Sequence, residues 1–150
     1  MNIRPAKPGD EHALFELISA LARFEHLEHQ LSGSPAELAR DLFGPRPAAE
    51  ALLAEEGGRA VGYALFFTTY STFLTRPGLW LEDLFVLESH RRRGIGKALL
   101  EETRRVAAER GAGRLEWSVL DWNANAITFY ERFGATVMPD WRICRVTFGG

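Results

Sequence analysis

Apolar residues recur along this chain at two periods, and each change of period marks an element. Leu14, Leu17, Ile18 and Leu21 fall three and four apart, the spacing of one helix face. Asp10, after the break at Pro8-Gly9, is placed to cap that helix, and residues 2–4 before Pro5 predict a short first strand. Ser34-Pro35-Ala36-Glu37 is a capping box with proline at the first helical position, so a second helix is expected to run to about Leu42. Residues 50–54 and 60–70, joined by Glu55-Glu56-Gly57-Gly58, predict an antiparallel hairpin. After the loop Thr75-Arg76-Pro77-Gly78 comes a long apolar strand, 79–87. A helix over 95–110 follows, its buried stripe supplied by Ile95, Ala98, Leu99, Val106 and Ala107. Gly111-Ala112-Gly113 ends it. A strand over 114–120, a helix over 123–132 and closing strands at 136–138 and 142–148 complete the pattern. This order predicts an α/β (α+β) fold, a mixed sheet with helices packed on it.

A length of 150 residues fits one domain, expected to span residues 1–150 and able to bury roughly two thirds of the surface its unfolded chain exposes. At 46% hydrophobic and 25% charged, the composition is that of a globular protein. The formal net charge of −2 argues against a protein that coats nucleic acid. The single cysteine, Cys144, has no intramolecular partner, which suits a reducing compartment. No apolar run reaches the roughly eighteen residues of a membrane span, and the first residues form no signal core, so a cytoplasmic protein without a membrane partner is expected.

The most unusual stretch is His90-Arg-Arg-Arg-Gly-Ile-Gly-Lys-Ala-Leu-Leu100, between the apolar strand and a helix. A P-loop requires glycine where Arg91 stands and a hydroxyl where Ala98 stands. A dinucleotide fingerprint requires a third glycine at the position of Leu99. What remains is R-x-x-G-x-G leading into a helix, whose free N–H groups and dipole favour an anion. By itself this could be only a solvated basic turn.

The surroundings add more. Leu79-Trp-Leu-Glu-Asp-Leu-Phe-Val86 followed by Arg91-Arg-Arg-Gly-Ile-Gly96 resembles the acetyl-CoA-binding signature of the GNAT superfamily of N-acetyltransferases. With Ile3-Arg4-Pro5, Ala22-Arg23-Phe24-Glu25, Asp121-Trp122-Asn123, Phe129-Tyr130, Gly134-Ala135 and Trp141-Arg142, nearly the whole chain resembles the diamine (spermidine/spermine) and thialysine N-acetyltransferases. The resemblance implies a GNAT fold, a mixed central sheet with splayed parallel strands flanked by about four helices. It implies acetyl transfer from acetyl-CoA to a primary amine of a small polyamine, diamine or lysine-like molecule, by direct attack in a ternary complex. It also implies a homodimer, to which the aromatic chain end around Trp141 is expected to contribute. Its cofactor contacts would be the strand edge Leu84, Phe85 and Val86, the loop Arg91, Arg92, Arg93, Gly94, Ile95, Gly96 and Lys97, and Asn123 and Tyr130. Its substrate contacts would be Arg23, Phe24, Glu25, Glu82, Glu116, Trp117 and Ser118.

The chemistry gives these positions tasks. An amine of pKa near about 10.4 is mostly protonated at neutral pH, and only its free base attacks a thioester. A carboxylate can take that proton. Glu82 and Asp83 are adjacent and are expected to point to opposite faces of a strand, so one of them serves a given pocket; the resemblance favours Glu82. A tyrosine can protonate the departing thiolate, and Tyr130 holds the family's position for that acid. A backbone N–H near Phe85 would polarise the thioester carbonyl. Read from the residues alone, Glu82 could be a solvated edge carboxylate, Tyr130 a core aromatic and Asn123 a helix cap. His26 and His29 do not form H-E-x-x-H, and no metal is expected. Phe133 and Ala124-Asn125-Ala126 depart from the polyamine enzymes, which have a basic residue and an acidic, proline-containing segment there. Acceptance of a different amine (an amino acid, an antibiotic or a protein N-terminus) and a noncatalytic acyl-CoA-binding module therefore stay open.

Overall fold

The computed structural model describes residues 1–149, which divide into two compact units, Met1–Trp117 and a second beginning at Ser118. The first unit carries β1 (Asn2–Pro5), α1 (Glu11–Phe24), α2 (Pro35–Phe43), β2 (Glu50–Glu56), β3 (Arg59–Ser71), β4 (Arg76–Val86), α3 (Ile95–Glu109) and β5 (Leu115–Glu116). The strands form one sheet in the order β1-β2-β3-β4-β5. Neighbours are antiparallel from β1 to β4, whereas β5 lies parallel to β4. The sheet is mixed, as expected of the α/β class.

Helices cover both faces of this sheet. Leu53, Tyr63 and Phe85 pack with Leu14 and Leu17 of α1 and Leu42 of α2. On the opposite face α3 buries Ile95, Leu99, Leu100, Thr103 and Ala107. A side chain at Gly62 of β3 would meet Leu99 Cδ1 at 3.3 Å, which places that helix hard against the strand. The buried stripe of α3 therefore includes Leu100 and Thr103, while Val106 is only half buried. Thr103 closes its own polar account by donating to the Leu99 carbonyl at 2.8 Å.

The local signals mostly act as expected. Ser34 Oγ accepts from the Glu37 N–H at 3.2 Å, with Pro35 opening α2. Gly57 and Gly58 take positive φ of 58° and 78°, the conformation of a tight hairpin turn. Asp10 precedes α1 but makes no side-chain cap. Its carboxylate instead accepts two bonds from Arg4, at 2.8 and 2.9 Å, and Arg4 Nε also donates to Glu55 at 2.9 Å. An ion pair with two directed bonds outcompetes a single bond from a backbone N–H.

β4 extends further than its sequence suggested, beginning at Arg76 and running through Pro77 and Gly78. Gly78 is required there: a Cβ would lie 2.9 Å from Thr69 Oγ1 and 3.0 Å from the Arg114 carbonyl. That carbonyl accepts from the Leu79 N–H at 3.0 Å, the contact that brings β5 alongside. β5 itself is short, because the strand expected over 114–120 pairs only at Leu79↔Leu115 and Trp80↔Glu116.

The second unit carries α4 (Ala124–Phe133), capped by Asn123, whose Oδ1 accepts from the Ala126 N–H at 3.2 Å. Gly134, at φ 108°, ends it in the left-handed conformation. The strands expected at 136–138 and 142–148 are not formed, and no helix or strand follows α4 among the described residues. Alternation marks a chain that can pair, but an unpartnered strand has little stability of its own. No helix among the described residues is long and apolar enough to cross a membrane.

Two outcomes follow from these contacts. Gly78→Ala should destabilise the protein by about 1–3 kcal/mol, measured as a lower denaturant midpoint at unchanged slope. Asp10 is held below the usual aspartate range chiefly by its Arg4 bonds, against an opposing effect of burial. Its contribution is thus present above the unfolded aspartate pKa, near about 3.9, and is lost as pH falls through the lower folded value. Asp10→Asn should remove about 1 kcal/mol or less at neutral pH, since the pair is partly solvated, and should flatten the acid limb of a stability-against-pH curve.

Candidate active site

The register of β3 against β4 contains one irregularity, and it falls on the residues of most chemical interest. Leu65 pairs with Asp83 and Phe66 with Leu81, so Glu82 is an extra residue with no partner, a β-bulge. The bulge corrects the expectation that Glu82 and Asp83 address opposite faces. Asp83 pairs beside Tyr63 and Phe85 on the α1 side of the sheet, and Tyr63 Oη donates to Asp83 Oδ2 at 2.8 Å. Glu82 Oε1 accepts from the indole N–H of Trp80 at 3.1 Å, and Trp80 pairs with Phe67 on that same side. Both carboxylates therefore serve one region.

Their surroundings differ. Glu82 is exposed, whereas Asp83 is half buried and Tyr63 fully buried. Burial raises the Asp83 carboxyl to about 6, the Tyr63 hydroxyl opposes that rise, and the Glu82 charge adds to it. The Tyr63 phenol is pushed well above its ordinary value, first by burial and then by the Asp83 charge. Glu25, at the end of α1, is also raised, by burial and then by Asp83. Three carboxylates and a phenol thus share one electrostatic neighbourhood, favourable to a cation.

The aromatic wall beside them joins α1 to β4. The Phe24 and Phe85 rings lie 6.4 Å apart, and the Tyr63 and Phe85 rings 6.5 Å apart, both tilted. The Arg91 guanidinium stands 4.3 Å from the Phe24 ring centre and 5.5 Å from that of Phe85. Its Nε donates to the Val86 carbonyl at 3.0 Å. Arg23 is exposed in the last turn of α1.

From this wall the chain enters the glycine loop. Arg92 adopts φ 64° and Gly94 φ 79°, a reversal that turns β4 into α3. Gly94 stands at the N-cap and supplies no side-chain cap. The first intrahelical bond runs from the Ala98 N–H to the Gly94 carbonyl, at 3.0 Å, so the N–H groups of Ile95, Gly96 and Lys97 precede any i−4 partner. A Cβ at Gly96 would meet only Val86 Cγ2, at 3.7 Å, so packing inside the chain does not demand glycine there. Arg92 and Lys97 are exposed, while Arg93 pairs with Glu56 at 3.1 Å. The last residues of β4, Leu84, Phe85 and Val86, lie beyond the end of β5 pairing and have one strand edge without a strand neighbour among the described residues.

Of the sequence-predicted residues, Phe24, Glu25, Glu82, Phe85 and Arg91 are brought together in the first unit. Glu116 is exposed on β5 and pairs with Arg114 at 3.5 Å; Trp117 follows it, half buried. Asn123, Tyr130 and Ser118 belong to the second unit. Tyr130 packs against Phe129, ring centres 5.5 Å apart, and its carbonyl accepts from the Ala135 N–H at 3.0 Å. Sequence reasoning missed Tyr63 and its bond to Asp83. The available signal was a tyrosine in an otherwise apolar strand, since a buried phenol usually has a hydrogen-bond partner.

Comparison with known proteins agrees with this geometry. Residues 14–135 match the Acetyltransferase (GNAT) family. The chain is 34% identical to L-ornithine N5-acetyltransferase NATA1 of Arabidopsis thaliana, over 97% of this chain and 83% of that protein. It is 36% identical to the thialysine N-epsilon-acetyltransferase of Mus musculus, over 89% of this chain and 82% of that one. The solved structure of ribosomal-protein-alanine N-acetyltransferase from Brucella melitensis biovar Abortus 2308 matches with a TM-score of 0.76 at 25% identity, covering 99% of this chain and 100% of that chain. An open strand edge, an uncapped helix start behind R-x-x-G-x-G and these matches lead to one assignment: the chain belongs to the GNAT acetyltransferase family and is an acyl-transferring enzyme of the N-acetyltransferase type.

Proposed function

We propose that this enzyme transfers an acetyl group from acetyl-CoA to a primary amine of a small cationic molecule, a diamine, polyamine or lysine-like compound, by direct attack in a ternary complex. The observation that carries the substrate class is the convergence of Glu25, Glu82 and Asp83 beside the Phe24 and Phe85 rings. A site of that charge suits an ammonium and disfavours an anion or a neutral apolar acceptor. The relatives named for ornithine and thialysine act on amines of this kind, which supports the reading.

The donor set fits the coenzyme. Adjacent backbone N–H groups at the start of α3, the exposed Arg92 and Lys97 and the clear space at Gly96 suit a pyrophosphate. The unpaired edge of Leu84, Phe85 and Val86 suits an extended, amide-bearing arm, which can add to a sheet as a strand does. The Val86 carbonyl is already taken by Arg91, leaving the other edge groups for that purpose. Bound there, the coenzyme would supply an activated thioester. Arg91, committed to the aromatic wall, would act on the coenzyme only through the conformation of the loop. In this reading Glu82 offers a carboxylate to the reacting amine, and Tyr130 is the acid that protonates the departing sulfur. The family match, residues 14–135, runs across the division between the two units, which supports one acetyltransferase domain over residues 1–150. The exposed Trp141, Ile143, Val146 and Phe148 support a homodimer, to be checked by sedimentation equilibrium.

The experiment is a panel of diamines, polyamines, lysine analogues, free amino acids, aminoglycosides and peptide N-termini with acetyl-CoA, read by thiol release and product mass. Cationic diamines and lysine analogues should have the highest kcat/KM. Coenzyme A alone should raise the melting temperature, as any ligand of the folded state does. Tyr130→Phe should keep that thermal shift while turnover falls about a hundredfold or more. Full turnover in this variant would remove Tyr130 from the mechanism, and absence of thiol release with every amine would leave a noncatalytic acyl-CoA-binding module.

A further inference from the structure

The β4 bulge puts two carboxylates where a proton must be removed, and their environments assign them different work. Glu82, the extra residue, is exposed and shares its carboxylate with the Trp80 indole. Asp83 is set back from solvent and fixed from behind: Tyr63 Oη holds Oδ2 at 2.8 Å, and the phenol is itself immobilised in the core with Leu14, Leu17 and Phe85. Oδ1 receives no donor from the described residues, and no side-chain polar atom among them is both sealed from solvent and unpaired, so this oxygen keeps some access to solvent. A carboxylate with one oxygen anchored and the other free has the geometry of a directed proton acceptor.

We propose that Asp83, oriented by Tyr63, is the carboxylate that accepts the proton from the attacking ammonium, with Glu82 guiding the amine towards it. The inference rests on the amine-acetylation reading above. In the step, one N–H bond of R–NH3+ breaks and its proton joins Asp83 Oδ1. The freed nitrogen pair attacks the thioester carbon; as the C–S bond breaks, Tyr130 protonates the departing sulfur to give the free thiol and is re-protonated by the second proton lost from nitrogen, and the proton on Asp83 then passes to water. Burial supports the assignment: raising the carboxyl to about 6 narrows its gap to an ammonium near about 10.4 by about two units, about a hundredfold in equilibrium. The charged and titratable neighbours are Tyr63 from β3, Glu82 on β4, Glu25 from the end of α1, and Arg91 stacked on Phe24 and Phe85. Tyr63 is a positioning residue, since it acts through Asp83.

The test is steady-state kinetics for a diamine and for acetyl-CoA from about pH 6 to about pH 10, across the carboxylate and ammonium ranges, in wild type, Asp83→Asn, Glu82→Gln and Tyr63→Phe. Asp83→Asn should lower kcat about a hundredfold near neutrality without changing KM for acetyl-CoA, and the deficit should shrink at high pH, where solvent already supplies free amine. Glu82→Gln should act mainly on KM for the amine. Tyr63→Phe removes a donor that stabilises the carboxylate, so the acid limb should move to higher pH while the plateau kcat stays within about tenfold. Thermal unfolding separates these effects from misfolding. Asp83 has a raised folded pKa, so its ionisation opposes folding above about pH 6; Asp83→Asn should be more stable than wild type at alkaline pH, an advantage that disappears on acidification. Undiminished kcat in Asp83→Asn, a deficit equal at every pH, or loss of the acid limb in Glu82→Gln instead would each overturn the proposal. Wild-type enzyme that acetylates no amine would overturn the amine reading and this inference together, whereas active wild type with active Asp83→Asn would overturn the inference alone.

Discussion

The proposed active face of this protein depends on β4 losing its outer neighbour halfway along its length. β5 runs parallel to β4 for two paired residues and no further, because Gly78 admits the Arg114 carbonyl close enough to start the pairing and nothing continues it past Glu116. From Asp83 to Val86, β4 has a strand neighbour on one side only among the described residues, β3. An unpaired edge is ordinarily a liability, since its backbone groups seek another strand. Here α3 covers the sheet next to that edge and the glycine loop begins where the strand ends, so the open groups and the free N–H groups of the helix start are set by one short segment of chain.

The bulge at Glu82 lies in the same segment and changes what the strand can present. Without it, neighbouring carboxylates would face away from each other. With it, both address the α1 side, where Glu25 adds a third. Gathering negative charge in a half-buried place opposes folding: a carboxyl raised from 3.8 to about 6 costs on the order of 3 kcal/mol at neutral pH. The cost is fully present above the folded pKa and absent below the unfolded one. Tyr63 offsets part of it by donating to the carboxylate, and the burial of its ring with Leu14, Leu17 and Phe85 contributes in its own right. In the proposed reaction a bound ammonium would relieve the remainder, so that substrate affinity and apo-protein instability would share one electrostatic source.

What could be read from the sequence follows from how local each signal is. The capping box at Ser34, the turn at Gly57-Gly58 and the stop at Gly111 act within a few residues, and each does in the structure what its chemistry dictates. The bulge is a statement about register between two strands, and no periodicity within β4 announces it. The Tyr63–Asp83 bond joins residues 20 apart and exists only because of that register. Asp10 lost its expected cap to Arg4, a side chain that the pairing of β1 with β2 also holds against Glu55. Residues 136–148 alternate as a strand does, yet alternation supplies only one of the two strands a pairing needs. Family resemblance pointed to the glycine loop and Glu82, whereas charge alone did not reveal that the Arg91 guanidinium would lie against Phe24 and Phe85.

That use of Arg91 explains how the two halves of the site hold their spacing. The residue opens the glycine loop, its Nε donates to the last carbonyl of β4, and its guanidinium carbon lies over the ring of Phe24, the residue before Glu25. A lysine could carry the charge but not the planar stack and the directed Nε bond at once. The end of α1, the end of β4 and the start of the loop are therefore referred to one rigid group. A shift of the loop would be felt at Glu25, and a shift of α1 would be felt at the loop. Reaction between a bound amine and a bound thioester depends on their approach to within a fraction of an ångström. In the proposed reaction, a shared anchor between the acidic cluster and the glycine turn would meet that requirement with a single side chain, and would leave the exposed Arg92 and Lys97 to supply charge without also setting geometry.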